Sequence, residues 1–270
     1  MDRVSGLHTI VCLKVVPKSE EVTVDSETRT LDRSRARSEI NGPDLNALEA
    51  ALSLKQAHGG RVSLLSMGPP FFERYLRLGL AMGADAAYLM SDRAFGGADT
   101  LATSYTLAAG IRAIGGCDLV LCGEESSDGA TAQVPPGIAE WLDASQITYA
   151  THLQMLPRRR LVRGRRELRG GFEVVEAPLP CVVSMKVGAN EPRFLDFDRW
   201  DWAMQEAPVT VWTAADLGLD EGSLGLAGSP TTVATVDVAP SAERRREFLT
   251  GTPQEEAEQL LLRIRQWIPV

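Results

Sequence analysis

Short apolar, β-branched runs alternate along the chain with segments of helical spacing. Residues 8–16 (HTIVCLKVV) read as a buried strand. Residues 21–33 alternate around a polar turn and predict a hairpin. After Asn41-Gly42-Pro43-Asp44, Leu45, Leu48 and Leu52 share one face of a helix, and Asp44 places negative charge near its positive end. Residues 62–67 predict a second strand that ends at Gly68-Pro69-Pro70. A helix follows through Leu76 and Leu80 to Met82, closed by Gly83. Residues 86–90 are a third strand, and residues 99–114 a helix with Leu101, Tyr105, Ala108 and Ile111 on one side. Residues 118–122 (DLVLC) form a fourth strand, which leads through Gly123 and a polar loop to a helix over 134–142.

This rhythm predicts an α/β fold: a Rossmann-like parallel sheet with helices on both faces. Ligands of such sheets sit beyond the C-terminal ends of the strands, so the segments to inspect are 14–17, 66–69, 91–100 and 123–134. From residue 147 the texture changes to short β-like runs at 147–153, 160–168, 172–177 and 181–186, which predict antiparallel additions to the sheet. Residues 206–241 are rich in Gly, Pro, Thr and Asp with no strong period and predict an extended arm. Thr252-Pro253-Gln254-Glu255 is a capping box, followed by an amphipathic helix carrying Ala257, Leu260, Leu261, Ile264 and Trp267 on one face. The expected organisation is a nucleotide-binding domain over 1–205, then over 206–270 a C-terminal arm with its terminal helix.

Composition narrows the function. The chain has 270 residues and a net charge of −8, which disfavours a nucleic-acid partner. No apolar run approaches the roughly 20 residues of a membrane span. The apolar stretch near the N-terminus, interrupted by Lys14, reads as a first strand and not as a signal peptide. The basic cluster over 158–169 reads as a solvated hairpin surface, with a docking patch as the alternative. Cys12, Cys117, Cys122 and Cys181 make no C-x-x-C pair and read as thiols of a reducing cytoplasm. His8, His58 and His152 show no metal-ligand spacing. No residue stands out as an acid, base or nucleophile, and no metal site is expected.

Two loops carry candidate chemistry. Residues 123–134 (GEESSDGATAQV) follow a buried strand and precede a helix. The small residues Ser126, Ser127, Gly129, Ala130 and Ala132 leave backbone N–H groups accessible, and a helix N-terminus adds unpaired donors. Pro135 and Pro136 fix the helix start near Val134. Together these suit a phosphate or pyrophosphate, although the loop matches neither the Walker pattern nor G-x-G-x-x-G. A plain polar loop is the other reading, and Glu124 and Glu125 oppose a phosphate unless they point away. The second loop, residues 92–100 (DRAFGGADT), combines Gly-Gly with a helix N-cap; good capping chemistry alone would account for it.

The ordered segments LKVVP, Asn41–Asp44 before LEAALSLK, SMGPP, LAMGAD, DRAFGGADTLATS, DLVLCG, DGATAQV, LPCVVSM, NEPR, VWTAADLGL and GSPTTV resemble the beta (small) subunit of electron-transfer flavoproteins over nearly the whole chain. The resemblance implies a heterodimer with a larger alpha subunit that holds an exchangeable FAD; the terminal helix then packs on that subunit, with packing on its own domain as the other reading. In the housekeeping branch of the family the beta subunit holds AMP. In the bifurcating branch it holds a second FAD that takes a hydride from NADH and divides the electrons between a low-potential acceptor, ferredoxin or flavodoxin, and a path through the alpha flavin to a dehydrogenase or quinone. SMGPP, DRAFGGADT and the DG-x-TAQV spacing are in the style of the bifurcating branch.

By the same resemblance, Cys12 and Leu13 border the adenine, and Asn41, Gly42, Pro43 and Asp44 sit beside the adenosine. Ser66, Met67 and Gly68 line a strand end. Asp128, Gly129, Ala130, Thr131, Ala132, Gln133 and Val134 hold phosphate through backbone N–H groups and the Thr131 hydroxyl, and Gly123 is a further cofactor-binding residue. Asp99 and Thr100 lie near the part that distinguishes FAD from AMP. The sequence departs from the family at Ala130, Pro135 and Glu124, and residues 194–207 are acidic and aromatic where the family places a dehydrogenase-recognition loop. A nucleotide-binding module with no redox role remains the reading of another class.

Overall fold

The structure, a computed structural model, describes residues 6–18, 23–24, 31–32, 37–232 and 246–268. The chain forms two compact units, Met1–Val236 and Asp237–Val270. The first begins with strand β1 (Leu7–Cys12), the short β2 (Val15–Pro17), β3 (Thr23–Val24), β4 (Leu31–Asp32) and β5 (Ser38–Ile40). Then come α1 (Gly42–His58), β6 (Gly60–Met67), α2 (Glu73–Met82), β7 (Ala86–Met90), α3 (Thr100–Ile114), β8 (Leu119–Gly123) and α4 (Val134–Leu142). The later elements are β9 (Ser145–Leu156), β10 (Leu161–Leu168), β11 (Gly171–Pro178), β12 (Cys181–Met185), α5 (Phe197–Asp201) and β13 (Val209–Trp212).

Nine strands form one sheet in the order β11-β10-β9-β12-β8-β1-β6-β7-β13. The run from β9 to β13 is parallel, and β10 pairs antiparallel with both β9 and β11. The α/β architecture expected from the alternating pattern is therefore present. The antiparallel additions are narrower than expected: β9 and β12 extend the parallel ladder, and the antiparallel hairpin is β10–β11. β13, inside the stretch read as an extended arm, pairs with β7 as a parallel edge strand.

Alternation along β1 explains the two layers. Val11 faces a core with Leu48, Leu52, Leu76 and Leu80 of α1 and α2. Ile10 and Cys12 face the opposite core with Leu107 and Ile111 of α3 and Ile138 of α4. Leu48, Leu64 and Leu80 are wholly buried, each stabilising the fold by about 1.5–3 kcal/mol.

The strand read over 8–16 is broken at Leu13 and Lys14: the Leu13 N–H still donates to the Leu65 carbonyl of β6 (2.8 Å), and Lys14 leaves the ladder to meet other partners. The backbone N–H of Lys14 donates to Asp44 Oδ2 (2.7 Å), and its carbonyl accepts from the N–H of Asn41 (2.9 Å). Of the predicted hairpin over 21–33, β3 and β4 pair antiparallel and the rest lies outside the described residues.

In the second unit, helix α6 (Pro253–Trp267) starts with the full capping box: Glu255 N–H donates to Thr252 Oγ1, and Thr252 N–H donates to the Glu255 carboxylate. Leu260, Leu261, Leu262 and Ile264 of α6 are exposed. No helix among the described residues is long and apolar enough to cross a membrane.

Candidate functional site

The chain runs outward on one side of the sheet from β1 through β6 to β7, then returns through α3 to β8 on the other side of β1. The strand order reverses between β1 and β8, and a ligand crevice in such a sheet opens at that point. Leu13 and Lys14 follow β1 there, and the 123–134 loop follows β8.

The N-terminus of α1 meets the C-terminal ends of β1 and β8. Asn41 is its N-cap residue, Pro43 stands in its first turn, and Asp44 is buried. The Asp44 carboxylate accepts from the N–H of Lys14 (2.7 Å) and of Gly123 (2.8 Å), so one side chain ties together the ends of β1 and β8. Burial pushes this carboxyl up to about 6, while the two backbone amides pull it back. Gly123 is required by this approach: a Cβ there would lie 2.4 Å from Asp44 Oδ1 and 2.6 Å from Pro43 Cβ. Asn41, equally buried, braces the loop above. Its Nδ2 donates to the Glu125 carbonyl (2.9 Å), and its Oδ1 accepts from the N–H of Ser127 (3.2 Å).

The loop then turns back on itself, with the N–H groups of Gly129 and Ala130 both donating to the Ser126 carbonyl. Ala130 (φ 46°) and Ala132 (φ 54°) occupy the left-handed region, at a cost of order 1–2 kcal/mol each for residues with a Cβ. Gln133 returns to the right-handed region (φ −92°, ψ −21°). A left-handed residue followed by a right-handed one aims successive N–H groups into a shared concavity, a nest suited to an anion. Among the described residues, the N–H groups of Thr131, Ala132, Gln133 and Val134 have no internal partner, and Pro135 and Pro136 carry none. Strain beside unspent donors on a sheet's C-terminal rim makes residues 130–134 the candidate binding loop.

The acidic residues do not spoil this nest. Glu124 turns toward the end of β12, where its Oε1 accepts from the N–H of Val187 (2.8 Å) and its Oε2 lies 3.8 Å from Lys186 Nζ. The Glu125 side chain is exposed. Asp128 is held by Lys14, whose Nζ lies 2.5 Å from Asp128 Oδ1 and donates to Ser126 Oγ (3.0 Å). Ser126 belongs to the small residues of the expected phosphate loop, whereas Lys14 has no cofactor role in the sequence reading. A cation directly after a strand end was the signal available for Lys14.

On the neighbouring strand end, Ser66 is buried and its Oγ has no hydrogen-bond partner, an orphaned donor on the same rim. Gly68 N–H is spent on the Met90 carbonyl (3.0 Å), and Met67 packs into the α3/α4 layer. The side chains of Cys12 and Leu13 are buried in opposite layers, so what they offer at the crevice is backbone.

The loop after β7 is built differently. Asp99 caps α3, its Oδ1 accepting from the N–H groups of Leu101 (2.9 Å) and Ala102 (3.1 Å), and its Oδ2 from the N–H and hydroxyl of Thr231. The N–H of Asp99 donates to Ser229 Oγ (2.8 Å). Asp92 accepts from the N–H groups of Ala94 and Ala214. The amide contacts of Asp92 hold its carboxyl below the usual range, and Asp99 is likewise lowered: its slight burial acts upward, and the Thr231, Ala102 and Leu101 contacts outweigh it. Thr100 connects the two loops through a 3.0 Å hydrogen bond from its hydroxyl to Gln133 Oε1.

The four cysteines are free thiols, three of them buried, and no cluster of His, Cys, Asp and Glu among the described residues could hold a metal.

A parallel α/β sheet with a donor-rich loop at its switch point defines the class of nucleotide-binding domains. The sequence profile of the electron transfer flavoprotein domain matches residues 28–217. The chain is 42% identical to the caffeyl-CoA reductase-Etf complex subunit CarD of Acetobacterium woodii, over 93% of this chain and 94% of that protein. It is 40% identical to the electron transfer flavoprotein subunit beta of Thermoanaerobacterium thermosaccharolyticum, over 96% and 98% of the two chains. It is also 40% identical to the protein FixA of Azotobacter vinelandii, over 96% and 94%. The chain therefore belongs to the electron transfer flavoprotein family, among its beta subunits. Membership implies a flavin or nucleotide cofactor.

Proposed function

We propose that this chain carries electrons by way of flavin as one half of a heterodimer with the larger alpha subunit, and that its own crevice between β1 and β8 holds FAD. The observation that carries this reading is the nest over Ala132, Gln133 and Val134, with unspent amides at the switch point of the sheet. The orphaned Ser66 hydroxyl and the space that Gly123 leaves to Asp44 support it. A bound flavin supplies the redox chemistry; the protein supplies position and electrostatics. On this reading Asn41 and Asp44 hold the crevice open at fixed width, the nest takes the pyrophosphate, and no side chain is needed as acid, base or nucleophile.

Similarity to a subunit of a reductase–Etf complex supports the FAD-binding, NADH-linked bifurcating branch, with ferredoxin or flavodoxin as the low-potential acceptor. The housekeeping alternative, AMP in this crevice, is favoured by one observation: the loop after β7 spends the N–H groups of Leu101 and Ala102 on Asp99, which leaves them unavailable to a longer ligand.

The redox partner docks, on this reading, at residues 194–206. Phe194 (95% exposed) and Phe197 (86%) project there beside the exposed carboxylates of Asp196, Asp198 and Asp201. The segment's cation faces inward: Arg199 donates to the Leu80 and Ala84 carbonyls and stacks on Trp202, and Arg193, just before it, pairs with Glu49 (2.8 Å). A partner with an apolar socket and a basic rim complements that face. The exposed leucines of α6 fit burial against the alpha subunit.

Co-production with the alpha subunit, followed by identification and counting of released nucleotides, tests the reading. Two FAD per heterodimer are expected. One FAD with one AMP would replace the bifurcating reading by the housekeeping one, and absence of any adenine nucleotide would end both.

A further inference from the structure

We infer that Lys14 is the cationic contact for the ligand's phosphate. This rests on the reading of the 123–134 loop as a phosphate site. Lys14 stands directly beyond β1 and Leu13, and its backbone is fixed on both sides: its N–H by Asp44 Oδ2 (2.7 Å) and its carbonyl by the N–H of Asn41 (2.9 Å). From that fixed root the side chain reaches the loop after β8. There the ammonium meets Asp128 Oδ1 at 2.5 Å and Ser126 Oγ at 3.0 Å. An ammonium carries three N–H groups, so two are committed to the loop and one remains for a ligand.

Charge balance gives the residue its purpose. The nest offers partial charges and fixed geometry but no net charge. Asp128, four residues before Ala132, would repel a phosphate if its carboxylate stood alone. Lys14 cancels that charge and places a cation on the same loop that carries the nest. Lys186 does not serve the same end: it lies 3.8 Å from Glu124 and 3.7 Å from Glu167, toward β12. The Lys14 side chain is 46% exposed, and a half-exposed ion pair contributes little to folding. Its geometry is therefore better explained by binding than by stability.

Calorimetric titration of the full-length chain, stripped of nucleotide, with AMP and with adenosine separates the two roles. For Lys14→Gln, AMP affinity falls about tenfold, whereas adenosine, which lacks the phosphate, binds within about twofold of wild type. Lys14→Arg retains most of the AMP affinity, and Asp128→Asn raises it, because the opposing carboxylate is gone. The preference for AMP over adenosine shrinks as salt rises. Equal losses for both probes, or no loss for either, would overturn the role of Lys14 while leaving the phosphate loop in place. A wild-type chain that binds AMP no better than adenosine would overturn the loop reading and this inference together.

Discussion

Two loops on the rim of one parallel sheet have nearly the same composition and opposite internal accounting. The loop after β7 and the loop after β8 are both rich in Gly, Ala, Ser or Thr and Asp, and both open a helix. After β7, Asp99 and Asp92 turn their carboxylates onto the amides of their own loop, of the helix start and of the following strap over Ala214 and Thr231. After β8, the acidic side chains point elsewhere, two left-handed alanines aim the amides together, and two prolines keep the helix from absorbing them. A carboxylate positioned to cap fills the role an anionic ligand would otherwise take. On the proposed reading, what separates the structural turn from the binding turn is where each acidic group is sent.

The largest effects that would break this comparison lie beneath the β8 loop. Gly123→Ala must displace Asp44 or Pro43 and is expected to cost about 3 kcal/mol in denaturant unfolding. Asp44→Asn turns an amide donor toward one of two N–H groups and costs about 1–3 kcal/mol at neutral pH.

Its pH signature is distinct. The folded carboxyl titrates at about 6, above the ordinary 3.8, so the native state holds the proton more tightly than the unfolded chain. Stability from this group is present in full below 3.8 and is lost as pH rises through 6. The stability gap between wild type and Asp44→Asn should therefore widen, by up to about 3 kcal/mol, as pH falls from 7 to 4. A gap that stays constant or narrows would show that the amides of Lys14 and Gly123 outweigh burial.

Next in size is Ala132→Pro, which forces φ near −65° and removes one nest donor. AMP affinity should drop by about 2 kcal/mol, read by titration, with little change in unfolding temperature. Smallest is Asp99→Ala, expected to cost about 1 kcal/mol of stability as a lost helix cap while AMP affinity stays within about twofold. Loss of AMP binding beyond that would mean the β7 loop also serves the ligand.

Much of the sheet was legible in the chain because strand runs such as DLVLC are short, apolar and bounded by turn residues. Gly123 and Pro135-Pro136 marked the ends of β8 and the start of α4 correctly, and the capping box marked α6. Three strands were harder. β9 and β12 look like hairpin strands in sequence, yet they lie side by side and parallel, because β10 and β11 intervene in sequence but extend the sheet outward. β13 is four residues long, and its Val-Thr-Val-Trp pattern is masked by the Gly and Asp around it. Within the site, residue types could suggest an accessible backbone at 123–134, but not that Ala130 and Ala132 take the left-handed region, which glycine usually occupies. Nor could they reveal that Glu124 faces β12, or that Lys14 reaches Asp128 across 114 residues of chain.

The tie between α1 and the segment before α5 has a mechanical consequence. Arg193 donates through its guanidinium and backbone N–H to Glu49, and Asn46 exchanges hydrogen bonds with Gly188 and Asn190. Glu49 is five residues along α1 from Asp44, a rise of about 7.5 Å. A single rigid rod thus joins the root of the aromatic segment to the floor of the crevice. Anything that grips Phe194 or Phe197 pulls on a strut instead of a tether, so the spacing between an incoming protein and whatever lies above Asp44 would vary little from one encounter to the next.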